Sequence, residues 1–205
     1  MLPGASIAAA ASGVRRYSLT PNIIADVAEA LVIVDFQNDF TPGGALAVPD
    51  GDAIAEHVNA LAADPRFELV VATRDWHPPE HGSFERHGGP WPVHCVQDTD
   101  GAELHPDLDH ERLDIVIDKG HNPETEGYSG FDETGLEALL RERGIERLTI
   151  VGLATDYCVK NTALDALRHG FDVTVERAGV RGVEVNEGDS ERALGELRAA
   201  GATVS

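Results

Sequence analysis

The sequence predicts an α/β domain with a parallel sheet covered by helices on both faces. Two observations carry this. Short runs rich in Val, Ile and Leu recur along the chain, and between most of them lie amphipathic helical patterns. The runs are almost continuously apolar instead of alternating, as expected for strands buried on both sides. At 205 residues the chain forms one domain large enough to bury a core without disulfides or a structural metal.

The first strand is Ala30-Leu31-Val32-Ile33-Val34, followed by a Gly/Pro-rich loop and a helix from about Asp52 to Ala63. Glu68 to Thr73 is the second strand and Asp114 to Ile117 the third. A helix from about Thr134 to Arg143 stops at Gly144, a residue suited to a helix C-terminus. The strand Arg147 to Leu153 leads into a helix from Asp156 to His169. Phe171 to Val175 is the fifth strand, Ser190 to Ala200 a last helix ending at Gly201, and Ala202 to Val204 a short closing strand. One connection breaks this rhythm: Arg74 to Arg112 has little regular pattern but holds both tryptophans and most of the histidines. Long connections inside compact domains are usually functional. Ligands of open parallel sheets bind beyond the carboxyl ends of the strands, where this loop begins.

Three reactive side chains sit just after strands: Asp35, Lys119 and Cys158. The topology would bring them to one sheet edge, where a thiol finds a carboxylate to take its proton and a cation to hold the resulting charge. Cys158 falls in the expected first turn of its helix, where unpaired N–H groups and the positive dipole end would favour thiolate. Lys119 is conspicuous because only Lys119 and Lys160 among the 16 basic residues are lysine. A second cluster begins with Asp75-Trp76-His77, whose outer residues share one side of an extended chain. With His81, His87 and His94 from the loop it offers a mixed N/O donor set suited to Zn²⁺, Fe²⁺ or Mn²⁺. His87 reads as a solvated loop histidine; His57, His105, His110, His121 and His169 read as structural.

The net charge of −20 argues against nucleic-acid or anionic-membrane partners. Two cysteines far apart fit a reducing, cytoplasmic setting; a secretory signal is not expected, because Arg15-Arg16 follows the N-terminal apolar run instead of preceding it, and no apolar segment reaches bilayer length. Residues 1–28 read as a flexible extension and 29–205 as the domain.

Several motifs together resemble the nicotinamidases (pyrazinamidases) of the isochorismatase-like cysteine hydrolases. They are Val32 to Phe40 (VIVDFQNDF), Thr73 to Pro78 (TRDWHP), Trp91 to Cys95 (WPVHC), Lys119-Gly120, Tyr128 to Phe131 (YSGF) and Ala154 to Val159 (ATDYCV). The resemblance implies a three-layer Rossmann-like fold with a six-stranded parallel sheet. It implies deamidation of nicotinamide, and of pyrazinamide, through a cysteine thioester in NAD salvage. Carried over by motif, the catalytic residues are Asp35, Lys119 and Cys158, with oxyanion donors at the backbone N–H groups of Ala154 and Cys158. A cis peptide is expected between Leu153 and Ala154. The substrate pocket falls on Phe40, Trp91 and Tyr128. One divalent ion (Zn, Fe or Mn) falls on Asp75, His77 and His94, with His81 a ligand in some relatives. Tyr157 stands where many relatives have His, and Cys95 has no expected catalytic role. The expected partner is nicotinamide, to a chain acting as a monomer or a homo-oligomer. The alternatives are a metal-free relative acting on isochorismate or N-carbamoyl compounds, a non-catalytic binding protein, and a metallohydrolase with a bystander Cys158.

Overall fold

The computed structural model describes residues 27–205, so the expected extension at 1–28 lies almost wholly outside the described residues. Six strands form one sheet: β1 Glu29–Val34, β2 Phe67–Asp75, β3 Ile115–Lys119, β4 Arg147–Leu153, β5 Asp172–Arg181 and β6 Thr203–Val204. Their order is β3-β2-β1-β4-β5-β6, and every pairing is parallel. The helices are α1 Ala55–Ala62, α2 Leu136–Glu142, α3 Lys160–Arg168 and α4 Asp189–Ala200.

Strand period explains the layers. In β1, Ala30, Val32 and Val34 point into a core shared with Leu136 and Leu140 of α2, Ala163 and Ala166 of α3, and Leu194 and Leu197 of α4. Leu31 and Ile33 point the other way, against Val58 and Ala62 of α1 and against Phe36, Val48 and Leu104 of the loops. Successive residues of a strand face opposite sides, so an unbroken apolar run is what a sheet buried on both faces requires. The strand order reverses between β1 and β4, and that switch point opens a crevice at the carboxyl edge.

The strands run further than their apolar runs predict. β2 extends to Asp75 and β3 to Lys119 because these polar ends pair in register, Asp75 beside Lys119. β5 continues past Val175 to Arg181: after a register irregularity, Val180 and Arg181 pair with Gly152 and Leu153. The expected helix from Asp52 is divided, with a 3₁₀ turn at Gly51–Ile54 before α1. The expected helix from Asp156 is also divided, since Thr155–Val159 forms a π turn and α3 starts only at Lys160. The long connection is ordered by 3₁₀ turns and by bridges between His77 and Val96 and between Phe84 and Trp91. Among the described residues, no helix is long and apolar enough to cross a membrane.

Candidate active site

Because the strands are parallel, their carboxyl ends share one edge, and four of them deliver the reactive groups. Asp35 follows β1, Asp75 ends β2, Lys119 ends β3, and Cys158 lies in the π turn after β4. The close approach of β1 and β4 depends on Gly152. It has φ +115°, and a Cβ there would lie 2.0 Å from the Val34 carbonyl oxygen, so only glycine fits. Asp35 itself sits at φ +46°, a left-handed conformation that non-glycine residues adopt at a cost and mostly at functional sites. Its N–H bonds to the Thr73 carbonyl at 3.1 Å, and the Thr73 hydroxyl donates to Oδ1 at 2.7 Å. The peptide between Leu153 and Ala154 is cis, as the resemblance implied.

Lys119 is fully buried and its ammonium is the hub of the site. Nζ donates to Asp75 Oδ1 at 2.5 Å, to the Gly127 carbonyl at 3.0 Å and towards Cys158 Sγ at 3.6 Å. Those three acceptors occupy its three hydrogens. Asp35 Oδ2, 2.8 Å away, is therefore paired with the ammonium by charge, without an aligned hydrogen bond. That oxygen remains open to receive a proton. Oxygens of Asp35 and Asp75 and the Cys158 sulfur all lie within 4.8 Å of one another.

Protonation follows from burial set against charge. Burial pushes the Cys158 thiol well above its ordinary value, and the Lys119 ammonium opposes this without reversing it. The thiolate expected from helix placement is not favoured here: the turn is enclosed, and burial works against the charged form. Burial also raises Asp35 to about 6, against the pull of Lys119. At Asp75 burial acts upward too, but Lys119 and His77 outweigh it and hold the carboxyl well below the carboxylate range. Burial alone would favour a neutral Lys119, but Asp35 and Asp75 keep it charged.

Next to this centre, Asp75, His77 and His94 present donor atoms that all lie within 4.8 Å of one another, and all three residues are buried. His77 Nδ1 faces the Gly120 carbonyl at 2.7 Å and His94 Nδ1 faces the Pro92 carbonyl at 2.8 Å. A ring nitrogen facing a carbonyl carries the hydrogen, so in each neutral histidine Nε2 is left as the nitrogen able to ligate. Gly120 makes room for this, at φ +65° with a would-be Cβ only 2.5 Å from His77 Cε1. Burial pushes His94 down; it acts downward on His77 as well, but Asp75 beside it wins and raises that group. His81 lies beside His77 with ring centroids 4.0 Å apart and planes tilted by 32°, and Ser83 Oγ lies 2.7 Å from its Nδ1. Its Nε2 is buried with no hydrogen-bond partner, and burial, aided by the neighbouring His77, lowers it to about 4. An ionised carboxylate and two locked imidazoles fit a divalent cation, and His81 lies outside that group of mutually close donor atoms.

The two centres open into one cleft of about 310 Å³, mouth included, lined by Phe40, Trp91, Tyr128, Ala154 and Cys158, with Asp75 and His94 at one side. Trp91 Nε1 donates to the Tyr128 hydroxyl at 2.9 Å. Of the residues expected at the site, Phe40, Asp75, Trp91, His94, Tyr128, Ala154 and Cys158 line this cleft. Asp35, His77 and Lys119 are buried beside them, His81 lies next to His77 but outside the group of mutually close donor atoms, and His87 is exposed on a 3₁₀ turn. Leu46, Tyr157 and Val183 also line the cleft but were not anticipated as pocket residues. Tyr157 was legible as the neighbour of the thiol. Leu46 and Val183 lie in loops whose aliphatic residues give no signal of direction.

A doubly wound α/β domain with a buried Asp–Lys–Cys centre at the switch point is a scaffold for nucleophilic thiol chemistry on a small substrate. The chain belongs to the isochorismatase family, since residues 29–205 match the isochorismatase domain. It is 45% identical to the nicotinamidase of Escherichia coli over 198 residues, covering 85% of this chain and 93% of that protein. Among solved structures it is similar to the pyrazinamidase of Pyrococcus horikoshii in complex with zinc. The TM-score is 0.79 and the identity 49%, covering 86% of this chain and 98% of that one. PnC1 of L. infantum in complex with nicotinate superposes with a TM-score of 0.83 at 39% identity, covering 88% and 93% of the two chains.

Proposed function

We propose that this chain hydrolyses nicotinamide, and pyrazinamide, to the carboxylate and ammonia through a thioester on Cys158. The observation that carries the reading is the buried Lys119 ammonium held between Asp35, Asp75 and Cys158 Sγ, beside a cleft lined by Cys158, Asp75 and His94, the last two grouped with His77. Asp35 Oδ2 accepts the thiol proton as Sγ attacks the carboxamide carbon; transfer accompanies attack, because an isolated thiolate is disfavoured in this burial. Negative charge moves onto the amide oxygen, towards the backbone N–H groups of Ala154 and Cys158. Removing one such donor in comparable sites costs about 2.7–4 kcal/mol. Asp35 then passes its proton to the departing nitrogen, the C–N bond breaks, and ammonia leaves. Water adds to the thioester with Asp35 again as base, and collapse restores the Cys158 thiol and releases nicotinate. Lys119 stays protonated throughout and balances the charge on Asp35 and sulfur.

Asp75, His77 and His94 would hold one divalent ion, with His81 as a further nitrogen. Such an ion supplies an electrophilic anchor for the basic ring nitrogen of the substrate. Phe40, Trp91 and Tyr128 close over the ring faces. The reading extends to 29–205 as the catalytic domain with 1–28 as an extension. A cytoplasmic setting is consistent with Cys95 and Cys158, both buried and unpaired. The test is ammonia release by purified protein, with nicotinamide, pyrazinamide and benzamide, before and after chelation. Nicotinamide and pyrazinamide should turn over and benzamide, which lacks the ring nitrogen, should be much poorer. Equal turnover of benzamide and nicotinamide by metal-free protein would favour the metal-free relatives instead.

A further inference from the structure

Cys95 takes no part in the chemistry above, yet its backbone is unusual. It is fully buried and has φ +44°, a left-handed conformation that a cysteine does not adopt without support. The turn matters because it directly follows His94 and because the Cys95 carbonyl accepts the His77 N–H at 2.9 Å. One residue thus joins the loop that brings His94 to the strand end that brings His77. The support is Asp39, whose Oδ2 accepts the Cys95 N–H at 2.7 Å, a charge-assisted bond across 56 residues of sequence. Its Oδ1 accepts the Ala45 N–H at 3.1 Å, and its own carbonyl accepts the Leu46 N–H at 2.9 Å, so the same residue sets the loop that brings Leu46 to the cleft. The chain also closes on the carboxylate from a third side, since a Cβ on Gly101 would lie 2.3 Å from Oδ2.

We propose that Asp39 is a positioning residue, whose carboxylate holds the Cys95 turn in its left-handed form and thereby delivers His94 beside His77 in the cation pocket. The proposal rests on the reading of Asp75, His77 and His94 as ligands for its consequence, but the loop tether itself can be read without any ion.

Two measurements on the full chain test it. The first is the dissociation constant for Zn²⁺ by competition with a chromophoric chelator. Removing a group that orients a ligand typically weakens metal affinity by about 10–100-fold, and Asp39→Ala should fall in that range. Asp39→Asn keeps one oxygen for the Cys95 N–H but loses the charge, and should fall between Asp39→Ala and wild type. Adding Cys95→Gly to Asp39→Ala should regain affinity, because glycine adopts the left-handed turn unaided. The same change should lower Tm, since it empties a buried side-chain position. Affinity rising while Tm falls is an outcome that general loosening of the fold cannot produce. The second measurement is native-state alkylation with iodoacetamide, mapped by mass spectrometry. Cys95 should be protected in wild type and labelled several-fold faster in Asp39→Ala or, should that variant not fold, in Asp39→Asn. Unchanged Zn²⁺ affinity in Asp39→Ala, or no regain from Cys95→Gly, would overturn the proposed delivery of His94. Unchanged Cys95 labelling would overturn the tether itself. If wild-type protein binds no divalent ion, the ligand reading fails and with it the delivery of His94, while the labelling still decides whether Asp39 holds the turn.

Discussion

Cys158 is held between two opposing influences, a burial that disfavours its thiolate and an ammonium that favours it, and burial prevails in the resting site. A thiol in that state needs an adjacent base as it reacts, and Asp35, raised to about 6, is poised to supply one near neutral pH. Asp35 accepts a proton only as the carboxylate. The kcat/KM for nicotinamide should therefore fall as pH drops through about 6 and level off above it; an acid limb nearer 4 would mean that burial does not raise Asp35 in the working enzyme. Cys158→Ala should abolish turnover with little loss of Tm, and Cys158→Ser should be nearly as inactive because a hydroxyl is far less acidic. Substantial ammonia release by the Ala variant would end the thiol mechanism. Lys119→Arg should lose orders of magnitude in kcat, because a planar guanidinium cannot replace a compact donor enclosed by Asp75, Gly127 and Cys158. Wild-type kcat in that variant would reduce Lys119 to a source of long-range charge.

Among the elements, strand ends and glycines do more for the site than helix termini do. The register of β2 on β3 sets Asp75 beside Lys119, and that pairing lets one carboxylate serve both the ammonium and the cation pocket. The approach of β1 to β4 requires Gly152. Gly152→Ala should lower stability by more than about 3 kcal/mol, combining positive-φ strain with a backbone clash, and chemical denaturation would measure it. Gly120→Ala should act more locally: a Cβ there meets the His77 ring, so divalent-ion affinity should drop while Tm changes less. Equal losses of Tm in the two variants would show that Gly120 serves the fold and not the ligand. The π turn at Thr155–Val159 belongs to the same economy of short elements, since it places Cys158 in the cleft before α3 has begun.

Across the whole molecule the dominant fact is charge. A net −20 is self-repulsive: even with every Arg and Lys paired, as Arg74 is with Asp118 and Lys160 with Glu196, 20 acids are left without a countercharge. Salt shortens the reach of that repulsion to about 3 Å at 1 M. Tm should therefore rise between low salt and 1 M NaCl, and a flat response would show that the excess acids are spread too widely for their repulsion to bear on stability. The two cores, one on each face of the sheet, are continuous with the strands that carry Asp35 and Cys158. Loss of either core would thus be felt at the site.

The order of apolar runs and helical patterns was sufficient to determine a parallel α/β sheet. Residues following strands were sufficient to place Asp35, Lys119 and Cys158 at one edge, because parallel topology leaves their strands no other end to share. The motifs from Val32 to Val159 carried the family and the donor set Asp75, His77 and His94. Only the tertiary structure decided the rest. Whether Cys158 rests as thiol or thiolate depends on enclosure by residues distant in sequence, which no local pattern reports. The polar ends of β2, β3 and β5 are strand because of their partners across the sheet, and the nitrogen that His77 leaves able to ligate is set by a carbonyl 43 residues away. Leu46, Val183 and the tether from Asp39 to Cys95 are likewise products of loop packing. The physical reason is the same throughout: period and propensity act over a few residues, whereas desolvation, register and the direction of a loop side chain arise only when remote segments meet.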